Sequence, residues 1–485
     1  MPFTVHTPQS LCQFGLARCD ITPPVGVYHR MWGAATHDRS TGIHRPLTAT
    51  ACVFRPWDAS GDTPHEQILV AVDHCLLWAP EMAWLLETIA QAAGVPSGQV
   101  VVTFSHTHAA GLMDRGRGDL PGGELIAPYL EQMNERIAQA VIEARRACRP
   151  ATVAYATGRC DLAAHRDLRD DARGQWVCGF NPAGQADDAV FVARVTDAHD
   201  RLVATFVNYA CHPTTLAWQN TLISPDFPGA MRELVEGATG VPCVFVQGVS
   251  GDIGPRHGFV GDTAVADRNG RQLGHAALAA LEALPPPRTR FEYAGPVVSG
   301  ATIGTWEHRP LDEASLAPLR TFRIQRWTVP LEYRPGRASV EELQRQQDHW
   351  QQEEARARRA GDDAAARDSR AMVERMTRAL TRARMLPPAD TFPYPVTLWQ
   401  MGSAVWLMVE GEPYQRLQTA LRDRFAAAPI LIGVLANGSR CSYLPPRETY
   451  GTGIYQETIA VLAPGSLEAL LDSIAAKLSE WLPAG

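Results

Sequence analysis

Val100-Val101-Val102-Thr103-Phe104-Ser105-His106-Thr107-His108 reads as a buried β-strand that runs straight into two histidines. Its apolar, β-branched residues do not alternate with polar ones, which suits a strand covered on both faces. In extended chain successive side chains alternate, so His106 and His108 leave from the same face. Sheets of the α/β class hold their sites just beyond the strand ends. This stretch therefore points to fold class and to chemistry together. Two satisfied surface histidines would also read as His-x-His, so the reading depends on what else ends a strand.

Working outward, residues 68–72 read as another strand and 80–93 as a helix, which makes a strand–helix–strand unit with 100–104. Residues 127–147 carry helical spacing in Leu130, Met133, Ile137 and Val141. Strands at 191–195, 203–209 and 243–246 and helices at 230–236 and 270–284 continue the alternation up to a Pro-Pro-Pro linker. Residues 339–385 differ in being crowded with Glu, Gln, Arg and Ala. There Ser339 and Glu342 suit a capping box and Gly361-Asp362-Asp363 a turn, so we expect a helical hairpin inserted at 339–386. Met372, Val373, Met376 and Leu380 recur on one face of its second helix. That stripe suits a dimer arm, a lid or a solvated hairpin lying on its own domain. With no motif residue in the hairpin, we expect it to serve packing or homo-oligomer assembly and not chemistry. Strands at 396–400, 405–409 and 430–435 and a last helix at 466–482 complete the pattern. The fold class expected is α/β, one large mixed catalytic domain over 1–485 with a strand-end metal site and the inserted hairpin.

Composition narrows the function. The chain has 485 residues, 45 Lys+Arg against 52 Asp+Glu, a net charge of −7 and 45% hydrophobic residues. No basic run offers a footprint for a phosphate backbone, so nucleic acid is not an expected partner. No segment approaches the ~18 consecutive apolar residues of a membrane span, and the N-terminus has neither the basic nor the apolar region of a secretion signal. We expect a cytoplasmic protein whose mature chain starts near Met1. Ten cysteines lie singly in mostly apolar company, without a Cys-x-x-Cys clip, and read as small buried hydrophobes.

Two further strands end on metal-competent groups. Asn208-Tyr209-Ala210-Cys211-His212-Pro213 ends on a histidine that the following proline holds extended. Leu407-Met408-Val409-Glu410-Gly411-Glu412-Pro413 delivers a carboxylate pair. Two histidines and a carboxylate from separate strands, with a position left open, is how a catalytic zinc is commonly built. Asp252 follows a strand and a glycine, where it could move a proton or cap the next turn.

Taken in order, these segments resemble the neutral/alkaline non-lysosomal ceramidase family. The resemblance runs from Gly15-Leu16-Ala17-Arg18-Cys19-Asp20-Ile21-Thr22-Pro23-Pro24 through Gly42-Ile43-His44-Arg45-Pro46-Leu47, His106-Thr107-His108 and His212-Pro213-Thr214. It continues through Ser224-Pro225-Asp226-Phe227-Pro228-Gly229, Gly251-Asp252-Ile253-Gly254-Pro255 and Gly411-Glu412-Pro413 to Leu435-Ala436-Asn437 and Tyr443-Leu444-Pro445. It implies one Zn2+ held by His106, His212, Glu412 and Tyr443, with Tyr450 and Tyr455 as alternatives to Tyr443. It also implies His108 toward the substrate oxygen and Arg166 at an oxyanion.

The departures are equally informative. Gly254 stands where the family has its nucleophilic serine, Ser250 lies four residues earlier, and Ala109-Ala110-Gly111 replaces a Ser-Gly-Pro. The chain ends at Gly485 soon after the tyrosine block, so we expect no immunoglobulin-like C-terminal domain and not long-chain ceramide as substrate. The protein is therefore expected to be a zinc hydrolase acting on a small or amphiphilic acyl amide, less so an ester. Metal-activated water would attack, with Asp252 or His108 moving the proton. A metal-dependent eliminase or carbohydrate-active enzyme on the same fold is the runner-up, and a non-catalytic binding or assembly protein the third reading.

Overall fold

The computed structural model describes residues 3–61 and 63–482, and it has the expected mixed α/β class. An eight-stranded sheet runs in the order Cys243–Gln247, Leu202–Tyr209, Ala189–Asp197, Arg149–Arg159, Gln9–Asp20, Thr48–Pro56, Gln67–Val72, Val100–Phe104. Its middle is antiparallel, and only the outermost pair at each edge is parallel. Each parallel pair needs a crossover, supplied by the helix Ala79–Ala93 on one side and Phe227–Thr239 on the other. The α/β alternation read from sequence therefore marks the two edges of the sheet and not its centre.

The sheet curls until its edge strands approach each other, Cys243–Gln247 beside Val100–Phe104. Every residue of both strands is buried, which accounts for their unbroken apolar character. Asn437 seals the second edge: its backbone N–H donates to Val102 O at 2.8 Å, its side-chain oxygen accepts from Val102 N at 2.8 Å, and its amide donates to Val100 O. One residue thus satisfies backbone groups that an open edge would leave unpaired.

A second sheet, ordered Phe322–Glu332, Thr391–Met401, Ala404–Val409, Ile430–Gly433, packs on the first. Between them Trp406 lies 5.3 Å from Phe54, 5.2 Å from Phe206 and 5.9 Å from Trp399, ring centre to ring centre. The helix Ile126–Arg146 covers the other face of the large sheet near Gln9–Asp20 and Thr48–Pro56. The helix Thr263–Glu282 covers it near Arg149–Arg159 and Ala189–Asp197, and starts earlier than its apolar pattern because Asp262 caps it by accepting from Ala264 N.

The hairpin helices are Val340–Ala360 and Asp363–Met385. Ser339 accepts from Glu342 N at 3.2 Å, Gly361 takes the left-handed φ of 70° that ends the first helix, and Asp362 starts the second by accepting from Ala365 N. The second helix docks on the chain's own domain. Met376 and Leu380 are buried, and Ala371 packs so close to Gly33 that a Cβ there would lie 2.8 Å from the alanine methyl. Glu374 receives Arg117 bidentately at 2.8 and 3.0 Å and Arg378 at 2.8 Å, and Arg378 also donates to Met31 O. Met376 and Leu380 of the apolar stripe are thus covered within the protomer, while Met372 and Val373 stay half-buried.

Arg117 and Glu374 are 3% and 6% exposed, so breaking their pair strands a buried charge. Burial works against the Glu374 carboxylate, but Arg378 and Arg117 outweigh it and lower its pKa to about 2. Its contribution to stability is complete above the ordinary 4.5 and fades as pH falls through about 2. Glu374→Gln should cost about 3 kcal/mol in urea unfolding at pH 7. An unchanged midpoint would mean that the pair does not hold the hairpin.

Candidate metal centre and active site

The curl of the large sheet explains why distant histidines meet. His106 follows the edge strand Val100–Phe104, and His212 follows Leu202–Tyr209, next to the opposite edge. Their rings lie 4.4 Å apart, and that of His108 lies 4.9 Å from His106 and 5.1 Å from His212. His106 takes a left-handed φ of 65°, so the ideal alternation assumed from period two breaks at this residue. The kink turns its Nδ1–H onto Cys75 O at 2.7 Å and leaves Nε2 facing Glu412. His212 is held alike, with Nδ1–H toward Ser250 O at 3.4 Å and Nε2 3.1 Å from His108 Nε2.

The second sheet brings the carboxylate. Glu410 and Glu412 follow the strand Ala404–Val409, but Gly411, at a φ of 74°, turns the chain between them, and Glu412 opens the short strand Glu412–Pro413. A Cβ at Gly411 would lie 2.6 Å from Cys441 Sγ, so only glycine fits. Glu410 is drawn into a bidentate pair with Arg440, whereas Glu412 Oε2 sits 3.3 Å from His106 Nε2 and 3.9 Å from His212 Nε2. Parallel pairing sets Tyr443 opposite Glu412. Its hydroxyl accepts from Arg166 Nη2 at 3.0 Å, and the same nitrogen donates to Gly251 O at 2.6 Å. Tyr450 instead donates to Leu462 O, and Tyr455 is 44% exposed with its ring 6.2 Å from that of Tyr443.

Burial opposes charge on His106, yet Cys75 and Glu412 beside it raise its pKa well above the usual 6.5. His212 is pushed well below by burial, then by Arg166 and His106; His108 follows suit through burial, His106, Arg378 and Arg166. Burial also opposes the Glu412 carboxylate, but His106 and Arg166 hold it below the ordinary range. Burial drives the Tyr443 phenol well above 10, so it keeps its proton.

The donor set suits a metal ion. His106 Nε2 is buried and faces Glu412 Oε2 at 3.3 Å without satisfying hydrogen-bond geometry, and ligand atoms of His106, His212 and Glu412 all lie within 4.8 Å of one another. Each Nδ1–H is fixed on a carbonyl, the outer contact that orients a metal-binding imidazole. Two imidazoles and a carboxylate are a donor set for zinc. Cys75, His106 and His108 form a second such group, but there the near nitrogen of His106 is already committed to Cys75 O.

Other residues singled out in the sequence take separate places. Asp252 commits its carboxylate to Gln415, accepting from the backbone N at 2.7 Å and the side-chain amide at 2.9 Å, and lies 3.6 Å from His165. Ser250 receives Gln247 Nε2 at 2.7 Å on its hydroxyl. Gly254 lies beside the histidines: a Cβ there would stand 3.8 Å from His212 Cβ and 3.9 Å from Arg166 Cδ, in ordinary contact. A cavity of about 1100 Å³ opens above His108, Arg166, His212 and Tyr443. Trp32, Trp218 and Phe259 cluster on one side of it, with Trp32 5.2 Å from the His108 ring. The hairpin, expected to serve packing or assembly and not chemistry, lines another side through Arg378 and Arg382. Motif reading missed these residues; their only trace in the sequence is the spacing of Arg375, Arg378 and Arg382 on one helical face.

No family model and no curated protein matches the chain. Among solved structures, the neutral ceramidase from Pseudomonas aeruginosa is similar at a TM-score of 0.64 and 17% identity, covering 99% of this chain and 76% of that one. A ceramidase complexed with C2 is similar at 0.63 and 16%, with the same coverage. At such low identity what the chain shares with them is a fold, and that fold is the one found in ceramidases.

Proposed function

We propose that the protein is a zinc-dependent hydrolase that cleaves an amide bond in a small or amphiphilic acyl amide. The observation that carries this is the convergence of His106 Nε2, His212 Nε2 and Glu412, with both imidazoles fixed from behind by carbonyls. His106, His212 and Glu412 would hold the ion, with the Tyr443 hydroxyl alongside. When bound, zinc supplies Lewis acidity toward a carbonyl and makes water acidic enough to act as a nucleophile near neutral pH. The structural likeness to two ceramidases supports a hydrolase of amide type on this fold.

The chain's own residues supply the rest. Arg166, pinned by Gly251 O and Tyr443, lines the cavity beside the candidate metal ligands, where its guanidinium can receive the oxyanion that forms at the carbonyl. His108, held neutral, can take the proton of the attacking water and return it to the leaving nitrogen. A C–O bond forms, the C–N bond breaks, and the products are a carboxylic acid and an amine. Asp252, occupied by Gln415, positions the loop that carries Gln415 and does not act as the base. No serine participates: Gly254 has no side chain, and Ser250 serves His212 through its carbonyl. No helix among the described residues is long and apolar enough to cross a membrane.

Elemental analysis of protein purified without chelator should find one zinc per chain. His212→Ala should lose most of it, while Cys75→Ala, which keeps the carbonyl that holds His106, should retain it. Protein free of transition metal, or a His212→Ala variant with full occupancy, would refute the site.

Ser250→Ala should keep activity within roughly tenfold, whereas His106→Ala should lose at least ~10³-fold, on the order of 4 kcal/mol. Pre-steady-state kinetics should show no product burst. A burst equal to the enzyme concentration, or an acyl adduct on Ser250, would establish a covalent route.

A further inference from the structure

The cavity above the candidate metal centre departs in charge from the protein as a whole. The chain carries a net −7, yet the cavity is lined by Arg166, Arg334, Arg337, Arg375, Arg378 and Arg382 and, among the described residues, by one acid, Glu374. Glu374 is already taken by Arg117 and Arg378, and Arg334 pairs with Glu457 outside the lining. Arg337 stacks on Tyr333 and Arg375 donates to Thr458. Arg166, Arg337, Arg375 and Arg382 have no carboxylate partner among the described residues. Low-dielectric walls around charges of one sign concentrate the field in the opening and attract an oppositely charged ligand.

Hydrogen-bond accounting leads to the same place. Arg382, Arg166 and Trp32 line this cavity, and Arg382 Nε, Arg166 Nε and Trp32 Nε1 are buried without an acceptor. Buried donors are nearly always satisfied, and leaving one unmade costs about 1–3 kcal/mol. All three are donors that lack an acceptor, which a water or a ligand oxygen would supply. Arg166 is assigned above to the oxyanion of the reaction. Arg382 is on the hairpin and makes no hydrogen bond or ion pair among the described residues. It shares a helical face with Arg375 and Arg378, at i, i+3 and i+7, which runs from an exposed rim to a partly buried interior. A planar guanidinium with free donors suits carboxylate or phosphate better than a neutral hydroxyl. Trp32, Trp218 and Phe259 offer an aromatic wall for an apolar group.

We propose that this cavity selects an anionic acyl amide, one that carries a carboxylate or phosphate, with Arg382 as the residue that binds the anion. This deepens the hydrolase assignment and rests on it for the reaction but not for the binding. An apolar acyl chain would lie along the aromatic wall, and the charged end would meet the hairpin.

The test compares N-decanoylglycine, N-decanoylglycinamide and N-decanoyl-O-phosphoethanolamine, which share an acyl chain and differ in charge. On wild-type protein, kcat/KM for at least one anionic amide should exceed that for the neutral one by at least about tenfold at low salt, and the preference should shrink as ionic strength rises. Arg382→Gln should reduce the preference at least about fivefold, mostly through KM, and Arg382→Lys should restore part of it. Calorimetric binding of the same compounds supplies a readout apart from turnover. Anion-selective binding without cleavage would overturn the hydrolase assignment and leave the anion site standing. Equal binding and equal cleavage of charged and neutral amides would overturn the anion site and leave the hydrolase. The wild-type comparison needs no variant, so misfolding of Arg382→Gln would not shield the proposal. The better of the two anions identifies carboxylate or phosphate.

Discussion

The hydrogen bond from His106 Nδ1–H to Cys75 O, 2.7 Å long, is the contact on which the site depends. It requires His106 to leave its strand at a positive φ, a costly conformation for a residue with a Cβ, and so requires a fold that over-determines that position. The curled sheet does this. Bringing its edges together sets His106 and His212 face to face, and the second sheet closes the gap with Glu412. Each imidazole is then turned by a carbonyl so that its far nitrogen points at the carboxylate. The two histidines could not meet in a flat sheet, because their strands lie at or beside opposite edges.

Much of this was legible in the sequence, and what was not has physical causes. Val100–Phe104 and Cys243–Gln247 could be read because parallel edge strands buried on both faces are uniformly apolar. The antiparallel centre left a weaker trace: Gln9–Asp20 mixes polar and apolar residues, and its pairing partners lie far along the chain. His106, His212 and Glu412 could be named because each follows a strand end. Which glutamate of the Glu410 and Glu412 pair faces the histidines is decided by the turn at Gly411 and by Arg440, a long-range partner that no local pattern reveals. Tyr443 was separable from Tyr450 and Tyr455 only once the parallel register with Glu412 was visible.

The hairpin teaches the opposite lesson. Its capping signals fixed both helix starts, but its composition, charged and repetitive, resembled that of a solvated arm. Arginine on a helix face has the same appearance in sequence whether it meets water or a cavity. What distinguishes the cases is the ion pair of Glu374 with Arg117, which pulls the second helix onto the domain and leaves Arg382 without a partner inside. The same contact joins stability to specificity, since the element that closes the cavity also sets its charge. A hydrolase that lacks the serine of the family it resembles, yet keeps every proposed metal ligand, would then differ from that family in substrate as well as in nucleophile.

The most direct test is anomalous diffraction at the zinc absorption edge from crystals of protein never exposed to chelator. The expected result is one peak per chain within coordination distance of His106 Nε2, His212 Nε2 and Glu412. A peak on Cys75 and His108 instead, or none at all, would contradict the account.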